Sequence, residues 1–240
     1  MKAVGIDGCK FGWVAVSLYD TEVRLFKNIA EIFKHYNKGY SFLIDIPIGL
    51  PGSNCNERTC ESLARRMLTG HRKFSVFNVP CREAVYVESF EEANRINKKI
   101  LSKGLSKQSW AITPKIREVD RWLNKNKELR SILKESHPEI VFHWLNGGRS
   151  MAFNKKSSNG LKERIGVLMK YDKRIEKIYK DAAKFKKKDV TPDDVADALC
   201  LAVAGNKINS TKKQTLPEFT HVDEKGIEMA MYYYRHGSQK

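Results

Sequence analysis

The chain has 240 residues, of which 41% are hydrophobic and 30% charged, as is typical of a globular protein. Its 44 Lys and Arg residues outnumber 28 Asp and Glu residues, giving a net charge of +16. This excess favours a polyanionic partner, nucleic acid before an anionic membrane, although solvated surface lysines alone also explain it. No apolar run approaches the roughly 18 residues of a membrane helix, and Asp7 interrupts the first apolar stretch. We therefore expect a cytoplasmic protein that neither spans nor binds a membrane.

The first fifty residues predict three strands, a helix and a fourth strand. Short apolar segments at 3–7, 12–18 and 23–26 are separated by tight turns, which indicates an antiparallel meander. A helix follows, and the apolar run 42–46 is typical of a strand covered on both faces. Asp7 and Asp45 lie at or near the ends of their strands. In open sheets with helical crossovers, ligands bind outside such strand ends.

The remainder predicts one domain, 1–240, that contains a mostly helical insertion. The insertion covers about residues 50–130, and a fifth strand is predicted at 139–144. Further helices are predicted at 57–68, at 90–101, from 113 to about 124, and around 161–169. The sequence shows no internal repeat and no long linker.

The last predicted helix contains acidic residues in an otherwise apolar sequence. Thr191 and Pro192 form a strong helix start, and Asp197 is the one polar residue among the ten from 195 to 204. A lone buried carboxylate is costly unless it is paired or binds a cation. Asp194 lies one helical turn earlier, where it either faces the same point or caps the helix.

Carboxylates at two strand ends and on a late buried helix predict an acidic cluster. Such groups repel one another unless divalent cations neutralise them. The chemistry that uses such a cluster is two-metal phosphodiester hydrolysis, in which one ion activates water and the other stabilises the leaving oxygen.

At this point the chain resembles a known family. The order β-β-β-α-β, an insertion, a strand and an acidic helix resembles the RNase H-like fold, and the last helix is similar to that of RuvC-type resolvases. More closely, the chain resembles the uncharacterised family of predicted RNase H-like nucleases, a domain of unknown function. Glu61 stands where that family usually has Asp. The blocks that carry the resemblance are Gly5-Ile6-Asp7-Gly8-Cys9-Lys10-x-Gly12-Trp13, Ile44-Asp45-Ile46-Pro47-Ile48-Gly49-Leu50-Pro51, Arg58-x-Cys60-Glu61-x-x-Ala64-Arg65, Ser75-Val76-Phe77, Glu135-Ser136-His137-Pro138-Glu139 and the acidic helix.

The resemblance implies an α/β fold of the RNase H-like type, with a mixed five-stranded sheet in the order 3-2-1-4-5 flanked by helices. It implies two Mg²⁺ or Mn²⁺ ions held by Asp7, Asp45, Asp194 and Asp197, which would also be catalytic. Glu135 is a further catalytic candidate, although a salt bridge to Arg58 or Arg65 would also explain it.

Basic residues around the insertion predict a nucleic-acid-binding surface. Phe74 and Phe77 are interleaved with the basic residues and suit base stacking, but the sequence slightly favours core positions for these two rings. The predicted nucleic-acid-binding residues are Arg58, Arg65, Arg66, Arg72, Lys73 and Lys187.

Three functions remain open. The first is a metal-dependent nuclease acting on DNA or RNA, and the second is a nucleic-acid-binding protein that does not cut. The third is a nucleotide-dependent phosphotransferase of the actin-like type, whose first strand resembles Gly5-Ile6-Asp7-Gly8, although no second copy of the core is present. The sequence leaves the oligomeric state open.

Overall fold

Five strands of the computed structural model, which describes residues 2–36, 39–55, 57–208 and 214–235, form one mixed sheet. The strands are β1 (Lys2–Gly8), β2 (Trp13–Ser17), β3 (Glu22–Phe26), β4 (Tyr40–Ile44) and β5 (Leu133–Glu135). Their order is β3-β2-β1-β4-β5. The first three are antiparallel, whereas β4 runs parallel to both β1 and β5. The expected α/β fold with sheet order 3-2-1-4-5 is therefore confirmed.

Helices cover both faces of the sheet, and five of them lie between β4 and β5, as expected for a mostly helical insertion. In the described residues the helices are α1 (Ile29–His35), α2 (Cys60–Met67), α3 (Arg82–Val85), α4 (Phe90–Leu101), α5 (Lys107–Ala111), α6 (Thr113–Lys125), α7 (Pro138–Leu145), α8 (Ser158–Met169), α9 (Arg174–Asp181) and α10 (Pro192–Ile208). None of them combines the length and the apolarity needed to cross a bilayer.

The sheet separates two hydrophobic layers because successive strand residues point to opposite faces. Val4 and Ile6 of β1 pack in the layer that contains α1 and α6. Leu43 of β4 packs in the other layer, which contains α10. The alternation places the odd-numbered residues at the ends of β1 and β4 on the α10 side.

The predicted fifth strand at 139–144 is wrong. The fifth strand is β5, at Leu133–Glu135, and the predicted segment lies in helix α7. The Nδ1 atom of His137 accepts the backbone N–H of Glu139, and Pro138 occupies the first turn, so local capping starts a helix here. Almost every residue of α7 is buried, and an apolar run that is buried all round has no periodicity that separates helix from strand.

A C-terminal hairpin, which the sequence pattern did not predict, packs beside β5. It consists of β6 (Gln214–Val222) and β7 (Glu228–Tyr233). The hydroxyl of Ser136 donates to the carbonyl of Tyr232 at 2.7 Å, and the carboxylate of Asp223 accepts the backbone N–H of Leu50 at 3.0 Å. The hairpin therefore holds the segments that follow β4 and β5.

Candidate metal centre

Three aspartates that are distant in sequence come together at the ends of β1 and β4. One carboxylate oxygen from each of Asp7, Asp45 and Asp197 lies within 4.8 Å of the other two. Asp7 and Asp197 are buried, whereas Asp45 is partly exposed. We call these three residues the aspartate triad.

The register of the sheet places the first two members of the triad side by side. Ile6 of β1 pairs with Ile44 of β4, so Asp7 and Asp45 occupy the next position on each strand. The backbone N–H of Asp45 donates to the carbonyl of Ile6 at 3.0 Å and continues the parallel pairing. Both side chains therefore extend from the same edge and the same face of the sheet.

A close approach of α10 to β1 brings the third aspartate to this edge. A Cβ atom at Gly5 would lie 2.1 Å from the carbonyl oxygen of Ala198 and 2.3 Å from the backbone nitrogen of Ala202. Only glycine permits this contact, because the helix backbone occupies the space of a side chain. Asp197 directly precedes Ala198, so the contact fixes its position beside Asp7.

Burial and mutual repulsion make it costly to charge the triad. Burial raises the pKa of Asp7 well above its ordinary value, and the charges of Asp45 and Asp197 raise it further. Burial likewise raises the pKa of Asp45, and that of Asp197 to about 6. The triad therefore favours any bound positive charge.

Lys155 supplies such a charge. Its Nζ atom donates to Oδ2 of Asp197 at 2.7 Å and lies 3.9 Å from Asp193. Burial alone would lower the pKa of Lys155, but the charges of Asp197 and Asp7 outweigh this effect and raise it. Lys155 belongs to a polar loop before α8, and no pattern in the sequence pointed to it.

Asp194 lies beside the triad but does not belong to it. Its Oδ2 atom accepts the backbone N–H of Thr191 at 2.9 Å, at the start of α10. Its charge nevertheless raises the pKa of Asp7, and burial raises the pKa of Asp194 itself. Asp194 thus caps the helix and also contributes negative potential next to Asp7.

Glu135 forms its hydrogen bonds with other residues of the chain and not with the aspartate triad. Its Oε1 atom accepts from Nη2 of Arg58 at 2.5 Å, and its Oε2 atom accepts the backbone N–H of Ile48 at 2.7 Å. Arg58 also donates to Glu61 at 2.8 Å and is almost fully buried. Burial raises the pKa of Glu135 to about 7 even though Arg58 lowers it. The side chains of both Arg58 and Glu135 are therefore buried and paired with each other.

The other predicted nucleic-acid-binding residues differ in their exposure. Arg66, Lys73 and Lys187 are exposed, and Arg65 donates to the carbonyl of Val76 at 2.8 Å. Arg72 is partly buried, and its guanidinium lies 3.4 Å from the carboxylate of Glu139. The exposed members add positive charge to the surface of the protein.

The triad opens into a cleft of about 300 Å³. Residues of β1, the segments after β4 and β5, and the insertion line this cleft, and Lys155 and His137 are among them. Phe77 also lines it and is 39% exposed, and Phe74 nearby is 65% exposed. Neither ring is a core residue, and Nζ of Lys73 lies 5.2 Å from the centre of the Phe74 ring.

The fold and the site define an α/β protein with a buried carboxylate cluster at the ends of two parallel strands. The chain matches the model of the family described as "Protein of unknown function (DUF429)" over residues 5–221, a range that includes the whole triad. The chain therefore belongs to this family, as its sequence blocks led us to expect. The comparison with curated proteins gave no match, and the comparison with solved structures gave none either.

Proposed function

We propose that this protein is a nuclease of the RNase H-like type, dependent on Mg²⁺ or Mn²⁺, that hydrolyses phosphodiester bonds in DNA or RNA. The observation that carries the proposal is the convergence of Asp7, Asp45 and Asp197 within 4.8 Å at the edge of an open cleft. We also propose a cytoplasmic location, which the five free cysteines support, since reduced thiols are typical of that compartment.

The donor set fits a hard divalent cation. The triad offers only carboxylate oxygens, which Mg²⁺ and Mn²⁺ prefer, and no His or Cys joins the group among the described residues. The three carboxylates carry a charge of −3 when ionised, and Lys155 offsets only part of it. Two ions held by these carboxylates would supply the chemistry: one would activate water, and the other would stabilise the oxygen that leaves the phosphodiester.

The chain's own residues would orient the substrate around these ions. The backbone N–H of Gly8 donates to Oδ1 of Asp7 at 2.7 Å and holds that carboxylate in place. Nδ1 of His137 accepts the N–H of Glu139, which leaves the Nε2–H of the ring to donate a hydrogen bond to a phosphate oxygen in the cleft. Lys155 can bind a phosphate when a cation replaces it at Asp197, and Phe77 offers a face for stacking.

Cleavage assays with matched variants test this proposal. Labelled single-stranded, duplex and branched DNA and RNA are incubated with Mn²⁺, Mg²⁺ or EDTA. We expect metal-dependent cleavage that falls by about a hundredfold or more in Asp7→Asn and Asp197→Asn, since loss of a cation ligand removes several kcal/mol of transition-state stabilisation. Asp172→Asn, at a surface ion pair with Arg174, is the control and should cleave normally. Equal activity in all three variants would refute the proposal.

The Lys155 ion pair favours one alternative, a nucleic-acid-binding protein that does not cut. Lys155 already supplies a positive charge to the triad without a metal. That reading predicts salt-sensitive binding of nucleic acid that EDTA does not change, with no cleavage by any divalent cation.

A further inference from the structure

Lys115 is a lysine of the cleft whose charge has no carboxylate ion-pair partner in the described part of the chain. It lies in α6, within the insertion, and its Nζ atom donates to the carbonyl of Gly12. Nζ also lies 4.3 Å from the centre of the Trp13 ring, so two contacts hold the ammonium group in place. An ammonium group has three N–H donors, so two of them have no acceptor among the described residues and can bind a ligand.

The packing of Lys115 against Gly8 places this ammonium group beside the triad. A Cβ atom at Gly8 would lie 2.7 Å from Cδ and 3.7 Å from Nζ of Lys115, so the lysine occupies the space that a side chain would fill. Gly8 directly follows Asp7 and donates its backbone N–H to that carboxylate. Burial lowers the pKa of Lys115, and a bound anion would offset this cost. An anionic group that approaches Asp7 through the cleft can therefore bind Lys115.

Asn78, in the insertion, adds a hydrogen-bond donor to the wall of the cleft. Its Oδ1 atom accepts from Nη2 of Arg65 at 2.8 Å, and its backbone carbonyl accepts from the hydroxyl of Ser109 at 2.9 Å. A guanidinium group only donates, so the contact with Arg65 fixes which end of the amide is the oxygen. The NH₂ group has no acceptor among the described residues and can bind a ligand beside the partly exposed ring of Phe77.

The size and the lining of the cleft limit what can enter it. Its volume of about 300 Å³ lies at the lower end of the range of about 300–1,000 Å³ found for small-molecule sites. Val76, Val79 and Ile112 make much of its wall apolar, which suits the faces of a nucleobase. Asp7 and Asp197 are buried below the surface, so a phosphodiester must enter the cleft to reach them. The paired and stacked bases of a duplex do not fit such a cleft, whereas a nucleotide that has left the stack does.

We propose that the cleft binds one unpaired nucleotide of the substrate, with a phosphate on Lys115 and with the base stacked on Phe77 and hydrogen-bonded by the amide of Asn78. This inference rests on the proposed action on nucleic acid and names the substrate class: single strands, bulges and other unpaired sites in preference to intact duplex. Stacking accepts every base, whereas the NH₂ group requires an acceptor on the edge of the base. Arg65 is a positioning residue, because its contact with Oδ1 orients the amide.

Nucleic-acid binding in EDTA tests the inference without cleavage. Fluorescence anisotropy compares a single strand, the perfect duplex of the same sequence and that duplex with one bulged nucleotide. We expect the wild type to bind the single strand and the bulged duplex about tenfold or more tighter than the perfect duplex, as for one base stacked on an aromatic ring. Equal affinity for the bulged and the perfect duplex would overturn the inference, and this comparison requires no variant to fold.

Variants test the two polar contacts separately. Asn78→Ala should weaken binding of the bulged duplex about fivefold, as for one lost hydrogen bond, and leave binding of the perfect duplex unchanged. Lys115→Gln should reduce the slope of log affinity against log salt concentration for the single strand by about 0.7, the value for one phosphate contact. A purely structural role of Lys115 would leave this slope unchanged and would contradict the contact. Lys125→Gln, at an exposed lysine of the same helix that does not line the cleft, is the control and should keep the slope.

Cleavage distinguishes failure of the inference from failure of the proposed function. Metal-dependent cleavage of the perfect and the bulged duplex at equal rates would overturn the inference and leave the nuclease standing. The expected preference in binding, without cleavage by any divalent cation, would support the nucleotide site and overturn the nuclease.

Discussion

Replacing Asp197 by asparagine should stabilise the metal-free protein. In the native protein the carboxylate is buried beside Asp7 and Asp45, and Lys155 is its hydrogen-bonding partner. Asparagine has nearly the same shape and no charge, so it removes the cost of burying this anion. A residue kept only for stability would show the opposite effect.

The pKa of Asp197 sets the size of this effect. Burial raises that pKa from its ordinary value of 3.8 to about 6, and one pKa unit corresponds to about 1.4 kcal/mol. Ionising Asp197 in the folded protein therefore costs about 3 kcal/mol more than in the unfolded chain. This value is an upper limit for the gain, because Lys155 loses its partner in the variant. For a chain of this size it corresponds to a rise in Tm of at most about 6 to 12 °C.

The sign of the pH dependence follows from the raised pKa. The folded protein holds the proton more tightly than the unfolded chain, so the wild type loses stability as the pH rises from about 3.8 through about 6. The gain in stability of Asp197→Asn over the wild type should therefore be complete at pH 7.5 and roughly half as large at pH 5.

Thermal unfolding in EDTA at these two pH values is the assay. Asp172→Asn is the control. A hydrogen bond from Arg174 lowers the pKa of Asp172, so removing this carboxylate should leave the stability of the protein unchanged or slightly reduced. If Asp197→Asn were less stable than the wild type at pH 7.5, or if its advantage did not change with pH, the reasoning would be refuted.

Three further predictions concern the surroundings of the triad. Arg58→Met should lower the free energy of unfolding in urea by about 3–5 kcal/mol, because it leaves two buried glutamates unpaired; an unchanged value would contradict the buried bridge. Lys155→Gln should tighten Mn²⁺ binding about thirtyfold, since a unit positive charge about 4 Å from a divalent ion opposes it by about 2 kcal/mol even in water; Lys156→Gln, in the same loop, is the control. Phe77→Ala should weaken binding of a single-stranded oligonucleotide by about 1–3 kcal/mol without changing Mn²⁺ affinity. Equal weakening in Phe219→Ala, an exposed ring that does not line the cleft, would contradict a stacking role.

Local patterns predicted the first four strands and the three aspartates of the triad, because each of these signals is contained in a short segment. The meander follows from alternating apolar residues and tight turns, and the register of two parallel strands then places Asp7 beside Asp45. Asp197 was recognisable because it interrupts an apolar helix.

The remaining features depend on contacts between distant segments. The 133–135 strand is only three residues long, and α7 is buried so completely that its pattern is the same as that of a strand. Lys155 reaches Asp197 from a polar loop 42 residues away. The sequence offered both Arg58 and Arg65 as partners for a salt bridge with Glu135, and only the fold shows that Arg58 forms it.

Anomalous diffraction from crystals soaked in Mn²⁺ tests the central claim most directly. The proposal predicts anomalous density enclosed by the carboxylates of Asp7, Asp45 and Asp197, and no density there in crystals of Asp7→Asn. If Mn²⁺ at saturating concentration left this position empty in the wild type, with Lys155 still bound to Asp197, the triad would not be a metal site.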